Sequence, residues 1–182
     1  MATQSSASAA RTGKNPILRA IAALSTVCGW TAALMILASV LITCQMIFIR
    51  FVLGESTIWQ TEAVIYLMIS ATLLGLPYVQ LLRGHVNVDL LPIWARGNIR
   101  KGLAILVLAT TIAVIGVMTF YAYEMWHFSW KRGWKSETVW AVRLWIPYLA
   151  MPLGFGLYLL QLSADLMAVV FGIDKPFGLE EN

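Results

Sequence analysis

Few residues in this 182-residue chain have side chains that could do chemistry, and they stand far apart in the sequence. The chain has two histidines, His85 and His127, separated by a long apolar run. Glu62, Glu124 and Asp165 occur close to the ends of such runs. A proton or ion pathway needs ionisable groups deep within membrane-spanning helices. The pattern therefore indicates a chain that does not bind a coupling ion by itself.

Catalytic and cofactor chemistry is also disfavoured. Histidine is a common axial ligand of haem, but the helix predicted between His85 and His127 puts them on opposite sides of a membrane. The sequence has no Gly-rich phosphate loop, no HExxH motif and no plausible Ser/His/Asp set. Cys28 and Cys44 are about 24 Å apart along one predicted helix, too far for a disulfide. We expect no enzymatic activity, no cofactor and no bound metal.

The composition is that of a membrane protein. Hydrophobic residues make up 59% of the chain and charged residues 12%, against about 25% charged residues in soluble domains. A hydrocarbon core about 30 Å thick requires roughly 20 apolar residues in a helix. The sequence predicts an all-α integral membrane protein with four transmembrane helices, at residues 27–49, 58–82, 103–126 and 144–171. The basic residues flank these runs instead of forming one stripe, so we expect no binding of nucleic acid.

The segments outside the helices complete the predicted organisation. Residues 1–15, rich in Ala and Ser, predict a flexible tail, residues 16–172 a four-helix membrane domain, and residues 173–182 a C-terminal tail. Between helices 2 and 3, apolar residues alternate with polar ones that include His85 and Asp89. This pattern predicts an amphipathic segment lying along the membrane surface.

Positive charge predicts the orientation. Eight Lys and Arg residues fall on the side of the two termini and five on the opposite side. Cytoplasmic loops carry an excess of such residues, so we expect both termini in the cytoplasm.

Tryptophan is concentrated on the predicted outer side, where the last two helices are joined. Two interpretations remain open, an interfacial aromatic belt or a docking surface, because Trp is enriched in binding hot spots. The docking candidates are Trp130, Trp134, Trp140 and Trp145.

Glu62 is the most informative ionisable residue. Trp59, Glu62 and Tyr66 are spaced three and four residues apart and share one face of helix 2. Glu62 either reaches the outer headgroups or pairs with Arg50 or a partner's cation to fix an interface.

Taken in order along the chain, these residues resemble the small permease subunit, DctQ type, of tripartite ATP-independent periplasmic (TRAP) transporters. The order of the elements in a four-helix chain carries the resemblance, since each element alone is weak. The matching elements are Arg50-Phe51, Trp59-x-x-Glu62, Gly75, Gly84-His85-Val86-x-Val88-Asp89-Leu90-Leu91, Pro147 and Pro152-x-Gly154.

The resemblance implies a stationary scaffold subunit in the bacterial inner membrane. Its partners would be the lipid bilayer, a large TRAP membrane subunit that holds the substrate and sodium sites, and a periplasmic solute-binding protein. That binding protein would deliver an organic anion, such as a C4-dicarboxylate or another carboxylate. The resemblance also implies structural or subunit-contact roles for Arg50, Trp59, Glu62, Tyr66, Gly75, Gly84, His85, Asp89, Pro152 and Gly154.

Two other functions remain open at this stage. One is the membrane anchor of an oxidoreductase that binds quinone or haem, against which the number and placement of the histidines argue. The other is a small self-sufficient carrier or channel that acts as an oligomer.

Overall fold

The chain folds into helices that are long and apolar enough to cross a membrane. The computed structural model describes residues 16–82 and 98–170. Its helices are α1 (Pro16–Phe48), α2 (Gln60–Leu81), α3 (Asn98–Arg132), α4 (Trp145–Tyr148) and α5 (Ala150–Val170). The four candidate spans are Leu18–Leu53, Gln60–Leu81, Ile105–Arg132 and Trp145–Val170. The predicted all-α fold with four membrane-spanning helices is therefore confirmed. The predicted amphipathic segment, with Gly84, His85 and Asp89, lies outside the described residues.

The helices pack side by side in the order α1, α2, α5, α3. Small residues lie in the contacts between helices, among them Ala32, Ala71, Ala164 and Ala168. Large apolar side chains point outward, and Trp30 is 70% exposed. This distribution is typical of a membrane bundle, because lipid solvates the outer surface while small residues let helix backbones approach.

One crossing between α2 and α5 depends on a glycine. A Cβ atom added at Gly154 would lie 2.8 Å from the backbone carbon and oxygen of Leu73. Pro77 has no N–H group to donate to the Leu73 carbonyl, four residues earlier in α2. By contrast, a Cβ atom at Gly75 would lie 3.7 Å from the Cβ of Ala32, an ordinary contact. Of these two glycines, Gly154 therefore makes the tighter contact.

The helix bounds differ from the predicted ones for local reasons. The regular part of the first span begins at Pro16 and closes in a π-helical turn, Ile49–Leu53, that ends at Gly54 with φ +66°. α3 continues to Arg132, so Trp130 lies on the helix. The fourth span is divided into α4 and α5. The missing N–H group of Pro152 accounts for this break, since it leaves the carbonyl of Tyr148 without its helical donor.

A short antiparallel hairpin, residues 133–144, joins α3 to α4. Gly133, with φ +60°, ends α3: its N–H donates to the Trp130 carbonyl at 3.3 Å, and Trp134 N–H donates to the Ser129 carbonyl at 3.2 Å. These two bonds form a Schellman motif. Across the hairpin, Ser136 N–H donates to Val142 at 2.8 Å and Leu144 N–H to Trp134 at 2.9 Å. We call this side of the bundle the hairpin end.

Candidate functional site at the hairpin end

Glu62 lies in the first turn of α2, where an acidic side chain also suits the positive end of the helix dipole. Its side chain is buried. The Tyr66 hydroxyl, one helical turn later, donates a hydrogen bond to Glu62 Oε1 at 2.5 Å. The spacing of Glu62 and Tyr66 on one helix face therefore produces a direct contact.

The hairpin supplies the second partner of this carboxylate. The Thr138 hydroxyl donates a hydrogen bond to Glu62 Oε2. Ser136 Oγ lies 3.1 Å from Thr138 Oγ1, and Thr138 N–H donates to Ser136 Oγ at 3.4 Å. Hydrogen bonds to an ionised acceptor are stronger than neutral ones. We call Glu62, Tyr66, Ser136 and Thr138 the carboxylate cluster; it ties the hairpin to α2.

Aromatic contacts reinforce the same connection. Trp59 precedes α2, and its ring centroid is 6.1 Å from that of Trp140 in the hairpin. Trp130 on α3 packs edge-on against Trp145 of α4, with centroids 4.6 Å apart. Trp134 packs against Phe128 at 5.0 Å. The four predicted docking tryptophans thus lie on α3, the hairpin and α4.

Exposure separates these tryptophans. Trp130 is 53% exposed, Trp140 40% and Trp134 39%, whereas Trp145 is less exposed and half-buried. Aromatic rings of this kind suit both a membrane interface and a protein contact. Trp130, Trp134 and Trp140 therefore offer more surface than Trp145 for contact with another molecule.

The other predicted residues within the described ranges lie outside the carboxylate cluster. Arg50 lies in the π-helical turn and donates from Nε to Thr57 Oγ1 at 2.9 Å, within the connection between α1 and α2. Gly75 faces α1, and Gly154 faces α2. Pro152 lies at the start of α5. These residues shape the bundle, whereas the carboxylate cluster shapes its hairpin end.

Sequence reasoning missed a second polar group of residues, near the opposite end of the bundle. Ser25 of α1 donates to Gln161 Oε1 at 2.8 Å, and Gln161 Nε2 donates to Asp165 Oδ1 at 3.1 Å. Gln80 of α2 donates to Asp165 Oδ2 at 2.8 Å. We call these four residues the amide network; it joins α1, α2 and α5. The position of Asp165 near a helix end was visible in the sequence, but its glutamine partners carry no distinctive spacing.

Both groups use their carboxylates as hydrogen-bond acceptors between parts of the same chain. Their geometry suits holding helices and a hairpin in place. With four apolar helices long enough to cross a membrane, the chain is a multi-pass helical membrane protein.

The family model described as "Tripartite ATP-independent periplasmic transporters, DctQ component" matches residues 39–172. The chain belongs to this family, which confirms the resemblance found in its sequence, and it is a small membrane subunit of a TRAP transporter. A comparison with curated proteins and one with solved structures returned no match.

Proposed function

We propose that this chain is the stationary scaffold for the large permease subunit, in sodium-gradient-driven uptake of an organic carboxylate. A periplasmic binding protein delivers that substrate. The family match over residues 39–172 is the observation that carries the proposal. The chain contributes no catalytic residue, cofactor or metal.

The placement of charge supports this division of labour. Glu62 is the third residue of its span, and Asp165 and Glu124 lie within about two turns of the ends of theirs. Glu62 and Asp165 both accept hydrogen bonds from the chain's own side chains. A carrier that moves ions through its own helices places ionisable groups near the middle of the membrane. The substrate and sodium sites therefore belong to the large subunit.

The hairpin end is the proposed docking surface for the periplasmic binding protein. It presents Trp130, Trp134 and Trp140 on α3 and the hairpin, residues of the type that dominates binding energy at interfaces. The carboxylate cluster holds the hairpin on α2, which limits the entropy that docking would cost. This assignment places both termini in the cytoplasm of a bacterial inner-membrane protein, in agreement with the Lys and Arg distribution.

The contact with the large subunit is proposed to involve Arg50, Trp59 and Glu62 at the hairpin end and Gly84, His85 and Asp89 in the connection between α2 and α3. Gly75, Pro152 and Gly154 are proposed to support that contact by fixing helix geometry. Tyr66 acts through Glu62, to which it is hydrogen-bonded.

Co-purification tests the scaffold role. The tagged chain is expressed with the large permease subunit of the same transporter, extracted in mild detergent and passed over a sizing column. We expect one stable complex of the two subunits. A chain that elutes alone and monodisperse under these conditions contradicts the proposal.

Binding-protein docking is tested separately, with the two-subunit complex in nanodiscs. Trp130→Ala and Trp134→Ala are expected to weaken the affinity of the substrate-loaded binding protein by about tenfold each. Trp30→Ala is the matched control, because Trp30 is 70% exposed but lies on α1, away from the hairpin. Equal losses for all three variants contradict docking at the hairpin end.

A further inference from the structure

An open apolar groove of about 500 Å³ runs along the seam between α2 and the fourth span. Its walls include Ala63, Ser70 and Leu74 of α2 and Leu153 of α5, and Trp140 of the hairpin lies at one end. Eleven residues of helix separate Ala63 from Leu74, about 16 Å. The hydrocarbon of one leaflet is about 15 Å deep, so the groove spans one leaflet on the side of the hairpin.

The dimensions of the groove favour a flexible chain over a helix. The groove is narrow and apolar, and a single hydrocarbon chain is far thinner than an α-helix, which is about 10 Å wide. Pockets of about 300–1,000 Å³ hold small molecules. An acyl chain entering from the leaflet can lie between Leu74 and Trp140 with its whole length against protein.

The charge of the hairpin and the end of α3 complements a phospholipid headgroup. The segment from residue 131 to residue 144 carries four basic residues, Lys131, Arg132, Lys135 and Arg143, and one acidic residue, Glu137. Lys135 and Arg143 are paired across the hairpin and are exposed. Arg143 directly follows Val142, which lines the groove. Basic residues at this level attract anionic headgroups.

We propose that this groove binds one anionic phospholipid from the leaflet on the hairpin side, with an acyl chain in the groove and its phosphate near Lys135 and Arg143. The lipid fills the seam between α2 and the fourth span and contacts the hairpin from its membrane side. Since free lipid already solvates its chains in hydrocarbon, the selectivity of the site comes from packing and from headgroup charge. The inference goes beyond the scaffold role and does not depend on it.

Photolabelling in vesicles tests the proposal. The full-length chain, alone and with the large subunit, is reconstituted in phosphatidylethanolamine and phosphatidylglycerol vesicles with a trace of phosphatidylglycerol carrying a diazirine in its acyl chain. After irradiation, labelled peptides are mapped by mass spectrometry. We expect labelling of residues 63–74 and 146–153, in both samples, above that of the exposed α3 face around Val114 and Val117.

Variants identify the site. Ser70→Phe fills the groove and is expected to lower this labelling about tenfold, whereas Thr72→Phe, on the exposed face of α2, leaves it unchanged. Leu153→Trp provides a second way to fill the groove if Ser70→Phe does not fold. Lys135→Gln and Arg143→Gln are each expected to lower labelling by the phosphatidylglycerol probe about fivefold, with a smaller effect on a phosphatidylethanolamine probe.

Three results overturn the proposal. Labelling that is uniform over all exposed helix faces shows that no lipid is selected. Equal labelling of the Ser70→Phe and Thr72→Phe variants places the lipid outside the groove. Labelling that disappears when the large subunit is present makes the groove a protein contact, and this outcome leaves the scaffold role intact.

Discussion

The carboxylate cluster and the amide network lie at opposite ends of the bundle, and in each a carboxylate accepts hydrogen bonds that join separate parts of the chain. At the hairpin end, Glu62 binds hydroxyl groups from α2 and from the hairpin. At the other end, Asp165 binds amide groups from α2 and from its own helix, and Ser25 extends the network to α1. The first connects a helix to an extramembrane segment, and the second connects three helices. The carboxylate cluster should therefore determine how well ordered the hairpin is, and the amide network should contribute to the stability of the helix bundle.

Both groups include residues of α2, and α2 crosses α5 where Gly154 meets Leu73. A displacement at this crossing would act on the amide network directly and on the hairpin through α4. A substitution at this crossing should therefore affect both groups.

Gly154→Ala is expected to have the largest effect. The added Cβ atom would lie 2.8 Å from the Leu73 backbone, so α2 and α5 must separate. Overpacking of this kind costs about 1–3 kcal/mol of unfolding free energy. Thermal unfolding in detergent measures the loss, with Gly156→Ala as control because nothing lies within 4 Å of a Cβ there. Equal stability of the two variants would show that the crossing is not tight.

Gln161→Leu tests the amide network alone. Gln161 is 3% exposed and bonds both Ser25 and Asp165. Interhelical hydrogen bonds in membranes contribute roughly 0.6–1.7 kcal/mol, so we expect a loss of about 1–2 kcal/mol in the same unfolding assay. Gln45→Leu, at an exposed position of α1, is the control and should change the stability by less than about 0.5 kcal/mol. A neutral Gln161→Leu variant would remove the stabilising role assigned to the network.

Thr138→Val tests the carboxylate cluster. It removes the hydroxyl that binds Glu62 while preserving side-chain shape, at a cost of about 1 kcal/mol. This cost should appear as local opening of the hairpin, with the Ser136 and Leu144 amides exchanging about fivefold faster in hydrogen exchange and the melting of the bundle little changed.

The matched control for the hairpin is Thr110→Val. Thr110 lies on an exposed part of α3 and donates to the Leu106 carbonyl of its own helix. Its exchange pattern at the hairpin should equal that of the unmodified chain. If Thr138→Val instead destabilises the whole bundle, the proposed separation between surface order and bundle stability is wrong.

Gly75→Ala is expected to have the smallest effect. Its Cβ atom would make an ordinary 3.7 Å contact with Ala32, and alanine also favours the helix. Unfolding free energy should change by less than about 0.5 kcal/mol. A loss as large as that of Gly154→Ala would show that α1 and α2 are as tightly packed at Gly75 as α2 and α5 are at Gly154.

The sequence predicted the four spans because apolar runs long enough for a bilayer are a strong one-dimensional signal. It also identified Glu62 and Tyr66 as neighbours, since their spacing of four fixes a contact on a helix. The bond from Thr138 to Glu62 joins residues 76 positions apart, and that from Ser25 to Gln161 joins residues 136 apart. No local spacing encodes such pairs, because they depend on the order in which the helices pack.

The helix bounds illustrate the same limit. α3 continues past its predicted end at residue 126 as far as Arg132, and Trp126, His127 and Trp130 contact other aromatic rings of the same helix. Hydropathy detects the hydrocarbon boundary, whereas the helix itself ends where Gly133 adopts φ +60°. The two criteria coincide only when a helix stops at the membrane surface.

Transport by reconstituted components tests the central claim most directly. Liposomes are prepared with this chain alone, with the large subunit alone or with both. The binding protein and a labelled carboxylate are added outside, under an inward sodium gradient. The scaffold account predicts sodium-dependent uptake with both subunits and none with this chain alone. Uptake by this chain without the large subunit would contradict it.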